Sequence, residues 1–143
     1  MSGTQVINTT KVRNQDDQCD SPVLGERLVV QVACGSDHTC LLLDDGSVCL
    51  FGFNGDGQLT APSLGEHKVV QVACGFMHTC LLRDDGSVCL FGFNGDGQLT
   101  APALGERRVV QISCGSNHTG MLLDDDSVVL FGSDENGQCQ NEK

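Results

Sequence analysis

Hydrophobic positions along this chain come in short runs and form no helical stripe. VVQVACG (29–35), HTCLLL (38–43) and SVCLFGF (47–53) are rich in Val, Leu, Phe and Cys, with Gly, Asn or Asp between them. Apolar runs of this length, bounded by residues that accept positive φ, predict β-strands. The segments GSDH, DDG and NGDG have the length and composition of hairpin turns. No eleven-residue window without Gly or Pro carries apolar residues at helical spacing.

The pattern then recurs. Residues 29–68 match residues 69–108 at 34 of 40 positions, and a third, more diverged copy begins at Val109. Upstream, NQDDQCDSPVLGE (14–26) matches NGDGQLTAPSLGE (54–66) at seven of thirteen positions. A fixed period of 40 signals a solenoid, a propeller or an array, in which one unit cannot bury its own faces. Each unit is expected to hold three strands plus a short fourth near QLT. Because the strands are almost continuously apolar, sheets buried on both faces are expected. The units run 29–68, 69–108 and 109–143, after a partial unit at 1–28, all within one domain.

The string V-x-Q-V-A-C-G-x-x-H-T-x-L-L-x-D-D-G-S-V-x-L-F-G-x-N-x-x-G-Q-L occurs at 29–59 and 69–99, and in weaker form at 109–138. It resembles the regulator-of-chromosome-condensation repeat, whose CG..HT, DG.V, G.N and GQ elements appear in order. The resemblance implies an all-β propeller of four-stranded blades, usually seven, and here about three to three and a half blades per chain. The family's usual Trp-Gly is Phe51-Gly52, Phe91-Gly92 and Phe131-Gly132, and the last Gly of its GQLG is Thr60 and Thr100. The short period looks similar to the branch that includes a bacterial β-lactamase inhibitor. Family members act as exchange factors for a small nuclear GTPase, as modules of large ubiquitin ligases, as enzyme inhibitors and as a plant ultraviolet-B photoreceptor. The photoreceptor chemistry needs tryptophan, and this chain has none.

Composition narrows the classes. At 143 residues and 15.2 kDa the chain is one ordinary domain, and 39% hydrophobic residues suffice to fold it. No apolar run approaches the roughly 20 residues of a membrane-spanning helix. The N-terminal MSGTQVINTTKVRNQDDQCD has no apolar core, so no signal peptide is expected and the cytoplasm, or the nucleus, is the expected location. Eight basic against nineteen acidic residues give a net charge of −11, with Arg107-Arg108 the one basic pair. Nucleic acid is therefore not an expected partner.

Candidate chemistry sits mostly inside the repeat frame. His38, His78 and His118 recur before Thr, flanked by Cys34/Cys40 and Cys74/Cys80. Metal ligation is one reading, but no CxxC or HxxxH spacing occurs; the other is a turn histidine bonded to backbone. Nine cysteines without an export signal suggest reduced thiols. In the third copy the counterparts of Cys40 and Cys49 are Gly120 and Val129, as suits small core positions, so inert core thiols are expected. Cys19 and Cys139, at equivalent points near the ends, are the pair most open to crosslinking. Asn54-Gly55-Asp56-Gly57 lacks the twelfth-position Glu of a calcium loop and reads as a turn.

Asp44, Asp45, Asp84, Asp85, Asp124, Asp125 and Asp126 fall in the second turn of each unit. They are either solvated turn residues or an acidic rim that steers a basic partner. The first turn differs where the strands do not: Ser36-Asp37, Phe76-Met77 and Ser116-Asn117. These six are the candidate partner contacts. Phe76 is either an interface anchor or a cap over the neighbouring unit.

No GxSxG, P-loop or HExxH motif occurs, so neither catalysis nor a cofactor is expected. The expected function is non-catalytic protein binding. The alternatives are regulation of a small GTPase, an accessory role in a ubiquitin ligase, and thiol-based metal or redox binding. Closure leaves three options: a six-bladed homodimeric ring, an open array that is part of something longer, and a strained closed monomer.

Overall fold

A computed structural model of the chain describes residues 27–52, 55, 66–133 and 139. All but two residues of the expected partial unit at 1–28 lie outside this set, as does Cys19. The first apolar runs become β1 (Val29–Cys34), β2 (His38–Leu43) and β3 (Val48–Gly52). The next copy gives β4 (Val69–Cys74), β5 (His78–Arg83) and β6 (Val88–Gly92), and the third gives β7 (Val109–Cys114), β8 (His118–Leu123) and β9 (Val128–Gly132). Each triplet is one antiparallel three-stranded sheet with its strands in chain order. Among the described residues, no helix is long and apolar enough to cross a membrane.

The expected fourth strand is absent where the structure describes it. Gln98-Leu99-Thr100 lies in a run of turns, because local acceptors consume its backbone donors. Asn94 Oδ1 accepts from the Leu99 N–H at 2.7 Å, and Gln98 Oε1 accepts from the Asp96 N–H at 2.9 Å. The N–H groups of Gly97 and Thr100 bond to the carbonyls of Asn94 and Gly97. A donor already bonded within its own turn cannot also extend the β6 ladder.

Burial on both faces holds only for the middle strand. Every residue of β2 is buried, whereas β1 alternates and β3 is mostly half-buried. Each first strand also carries a bulge: the register slips between Val29 and Gln31, and likewise at Val69/Gln71 and Val109/Gln111. The bulge turns Val30, Val70 and Val110 outward, where each is about half exposed.

The sheets stack in chain order. One apolar cluster joins Cys40 and Leu42 of the first sheet to Val72, Leu81 and Phe91 of the second. A second cluster joins Cys80 and Leu82 to Ile112, Met121 and Leu123. Hydrogen bonds set the register of this stacking, and they recur at both junctions. The Gln31 side-chain amide donates to Val72 O at 3.3 Å and accepts from Val72 N–H at 3.1 Å. Gln71 does the same with Ile112, at 3.2 and 3.0 Å. Nε2 of His38 bonds to Thr79 Oγ1 at 3.0 Å, and that of His78 to Thr119 Oγ1 at 2.9 Å.

The glycine of each Cys-Gly pair permits this closeness. A Cβ on Gly75 would overlap the His78 ring and sit 2.6 Å from Gly115 O in the next sheet. Gly97, in contrast, has φ +80 and nothing within 4 Å of an added Cβ. We expect Gly75→Ala to cost about 1–3 kcal/mol by overpacking the junction. Gly97→Ala should cost only the left-handed backbone penalty of about 1 kcal/mol. Urea titrations followed by circular dichroism test the difference, and equal losses would contradict the packing argument.

Candidate functional site

A three-stranded meander places its two turns at opposite ends of the sheet. The turns at Ser36-Asp37, Phe76-Met77 and Ser116-Asn117 therefore share one face of the stack, and the aspartate turns share the other. The two groups of candidate residues do not form one site.

On the first face the turns are laced together through their main chains. Ser36 N–H donates to Phe76 O at 3.2 Å, and Phe76 N–H donates to Ser116 O at 2.9 Å. Ser36 Oγ adds a bond to Phe76 O at 2.8 Å. The backbone of Phe76 is thus held from both sides while its ring stands 50% exposed. It does not fold away as a cap. Ser36, Asp37 and Ser116 are exposed beside it, and Met77 and Asn117 are half-buried. Met77 O and Asn117 O accept from Phe93 N–H and Ser133 N–H, which ties both turns to the segments that follow β6 and β9.

Under these turns runs a groove of about 250 Å³, lined by Cys34, Cys74 and Cys114 with the glycine and turn residue next to each. The cysteines therefore divide into two kinds. Cys40 and Cys80 are fully buried, as expected of core thiols, and Cys89 is nearly so. Cys34, Cys74 and Cys114 face the groove, because alternation along the first strand sends them there. Burial pushes Cys74 up to about 12. Cys114 goes the other way: the neighbouring Cys80 thiol, with smaller help from His78 and Thr119, lowers it below the ordinary thiol value against the effect of burial. Cys114 lines the groove instead of being sealed between sheets as Cys40 and Cys80 are. No disulfide joins the described cysteines.

The histidines belong to the stacking. His38 and His78 are buried and reach a threonine side chain of the next sheet, where a backbone partner was expected. Among the described residues their thiol neighbours do not converge into a group of three metal ligands. Burial, the largest cause, lowers the His38 pKa from its ordinary 6.5.

On the opposite face, Asp45 Oδ1 accepts from the Ser47 N–H at 3.0 Å and from its hydroxyl. Asp85 and Asp125 do the same with Ser87 and Ser127. The serine hydroxyls first, and then the serine N–H groups, hold these three carboxyls below the usual Asp value. Asp44, Asp84 and Asp124 are exposed beside them. Asp126 is a special case, at φ 72 where the other copies place Gly46 and Gly86 at φ 85 and 84. It fills a glycine position of the turn.

The rim is also less acidic than the aspartates alone imply. Arg27 lies 3.9 Å from Asp45 and Arg107 3.8 Å from Asp125. His67 stands between them in the frame, 3.1 Å from Asp84 and 3.2 Å from Asp85. These three side chains form the nearest thing to a cation cluster among the described residues, all of them exposed. Sequence reasoning overlooked the Arg27, His67, Arg107 series, although its spacing of 40 is visible in the chain.

A family model described as the regulator of chromosome condensation (RCC1) repeat matches residues 29–58, 69–98 and 109–138. The chain belongs to the RCC1 repeat family. No curated protein matches it. Among solved structures, human WBSCR16 superposes with a TM-score of 0.69 at 22% identity, over 92% of this chain and 43% of that one. Prp20p from Saccharomyces cerevisiae gives 0.68 at 21%, over 84% and 35%. The CRINKLY WD40 ectodomain of the Arabidopsis thaliana receptor kinase ACR4 gives 0.63 at 20%, over 84% and 44%. The chain thus spans less than half the length of each of these structures, and the likeness shows their fold: the three sheets are RCC1-type propeller blades.

His38 and the rim carboxylates act in different pH windows. Folded His38 refuses a proton that the unfolded chain takes up near its ordinary 6.5. Its contribution is complete above that pH and declines below it, by up to about 1.4 kcal/mol per pH unit for one proton. The Asp–Ser turns are complete above the ordinary Asp value of 3.8 and are lost only as pH falls through the lowered values. Urea midpoints should therefore fall between pH 7 and pH 5, and His38→Gln should flatten that decline. An unchanged slope in the variant would assign the decline elsewhere.

Proposed function

We propose that this chain is a non-catalytic protein-binding module that meets its partner with the face formed by Ser36, Asp37, Phe76, Met77, Ser116 and Asn117. One observation carries the reading: an aromatic ring half exposed on a turn whose backbone is bonded to both neighbouring turns, above a groove. An anchor held in this way loses little conformational freedom on binding, and buried aromatic anchors dominate interface energetics. The carboxylates of the opposite face would favour a basic partner only weakly, because Arg27, His67 and Arg107 stand among them. The cytoplasm or the nucleus, where thiols stay reduced, is the setting that suits nine cysteines in this frame.

A second reading is regulation of a small GTPase. It is favoured by likeness to Prp20p, a protein described for its binding to Gsp1p and histones.

Phe76→Ala separates binding from folding, since the ring is half exposed. Against proteins retained by the immobilised wild-type chain, the variant should lose at least about thirtyfold in affinity with an unchanged thermal transition. Retention at wild-type affinity would remove the anchor from the proposal. Release of labelled GDP from small GTPases, with and without the chain, tests the second reading. Unaccelerated release would end it.

A further inference from the structure

The two ends of the stack are complementary halves of the junction that the chain builds twice inside itself. At each internal junction the earlier blade supplies Gln (31, 71), His (38, 78) and a turn, and the later blade supplies the backbone of Val72 or Ile112, Thr (79, 119) and the next turn. The third blade carries the supplying set again, in Gln111 and His118. Neither side chain has a hydrogen-bond partner among the described residues. Gln111 is exposed where Gln31 and Gln71 are half-buried, and His118 is half-buried where His38 and His78 are fully so. The apolar surface beside them is uncovered too: Leu122 is half-buried where Leu42 and Leu82 are buried, and Val128 is 54% exposed.

The first blade carries the receiving set. Val32 is 37% exposed, while its counterparts Val72 and Ile112 are 2% and 3% exposed beneath the preceding blade. Thr39 Oγ1 has no partner among the described residues, whereas Thr79 and Thr119 receive a histidine. Thr39, Leu41, Leu43 and Phe51 are already buried within the chain, so the exposed part of this face is Val32 of the first strand.

We infer that these ends dock between two copies of this chain, head to tail, with Gln111 clamping the Val32 backbone. The partner is chosen by continuity. The missing surface at each end is a face that the chain itself displays at the other end, with the same residue types at the same offsets of 40 and 41. Two such contacts would join six blades, and each reuses the bonding pattern of an internal junction. This contact shares the Ser36 and Ser116 turns with the proposed binding face but leaves Phe76 out, and the mass measurement reads it with no other partner present.

The test is the solution mass of the reduced full chain by light scattering with refractive-index detection, since no Trp or Tyr reports concentration. Moderate salt should be present to screen the net charge of −11 on each copy. The expected mass is twice 15.2 kDa. Val32→Asp places a charge on a side chain that the single chain leaves exposed, so it should retain the fold and return the mass to one chain. Gln111→Ala should raise the dimer dissociation constant at least about tenfold. Circular dichroism melts confirm that both variants fold. A wild-type mass of one chain over the concentration range would overturn the inference. So would an assembly whose mass ignores both substitutions in folded protein.

Discussion

Everything in this fold depends on the contact between one blade and the next. A three-stranded sheet of five- and six-residue strands cannot bury a core alone. The two larger apolar clusters place the core between sheets, since each draws its members from two blades. Apolar contact supplies most of the attraction but sets no register. Register comes from the Gln amide that pairs with a backbone amide of the next blade, and from the histidine that reaches its threonine. Both are buried or half-buried, so a slipped arrangement would leave polar groups unsatisfied in a dry interface. Burial favours the neutral ring at His38.

That dependence explains the order of residues in the motif. Glycine precedes histidine by three positions because the ring lies against the glycine and the neighbouring glycine carbonyl, leaving no room for a Cβ. Threonine follows histidine because, in the middle strand, that position faces the preceding blade. Alternation in the first strand then decides the fate of each thiol. Cys34, Cys74 and Cys114 point toward the groove, while Cys40 and Cys80 in the middle strand are sealed between sheets.

Much of this was legible in the chain. The repeat period, the nine strands of the described residues and their turns follow from apolar runs between Gly, Asn and Asp, because those are local signals. The expected fourth strand does not form at 98–100 because, although QLT has strand-like composition, the Asn94 side chain and the Gly97 carbonyl accept its backbone donors within the turn. The histidine's threonine partner could not be read, since it lies 41 residues away in the next blade. The different behaviour of Cys114 was hidden for the same reason: its thiol neighbour comes from another unit. The counter-ions of the aspartate turns were visible as a series but were not paired with the carboxylates, because pairing needs the return of the chain beside the turn.

The distribution of differences between the copies follows from which groups make the junction. Middle-strand positions such as those of β2 are held by packing on both sides, and Gln, His, Thr and Gly by bonds or close approach to a neighbouring blade. The first turn is also part of the junction, but it takes part mainly through its main chain: Ser36 N–H to Phe76 O, and Phe76 N–H to Ser116 O. Main-chain bonds are indifferent to the side chain they carry. The turn can therefore hold Ser, Phe or Ser in the same backbone frame without loss of register, and the side chain is left to face solvent. A repeat protein that must stay rigid and still present different chemistry in each unit needs positions of this kind, fixed in backbone and unconstrained in side chain. In this chain Phe76 occupies one of them, in the central blade, where neighbours on both sides hold it in place.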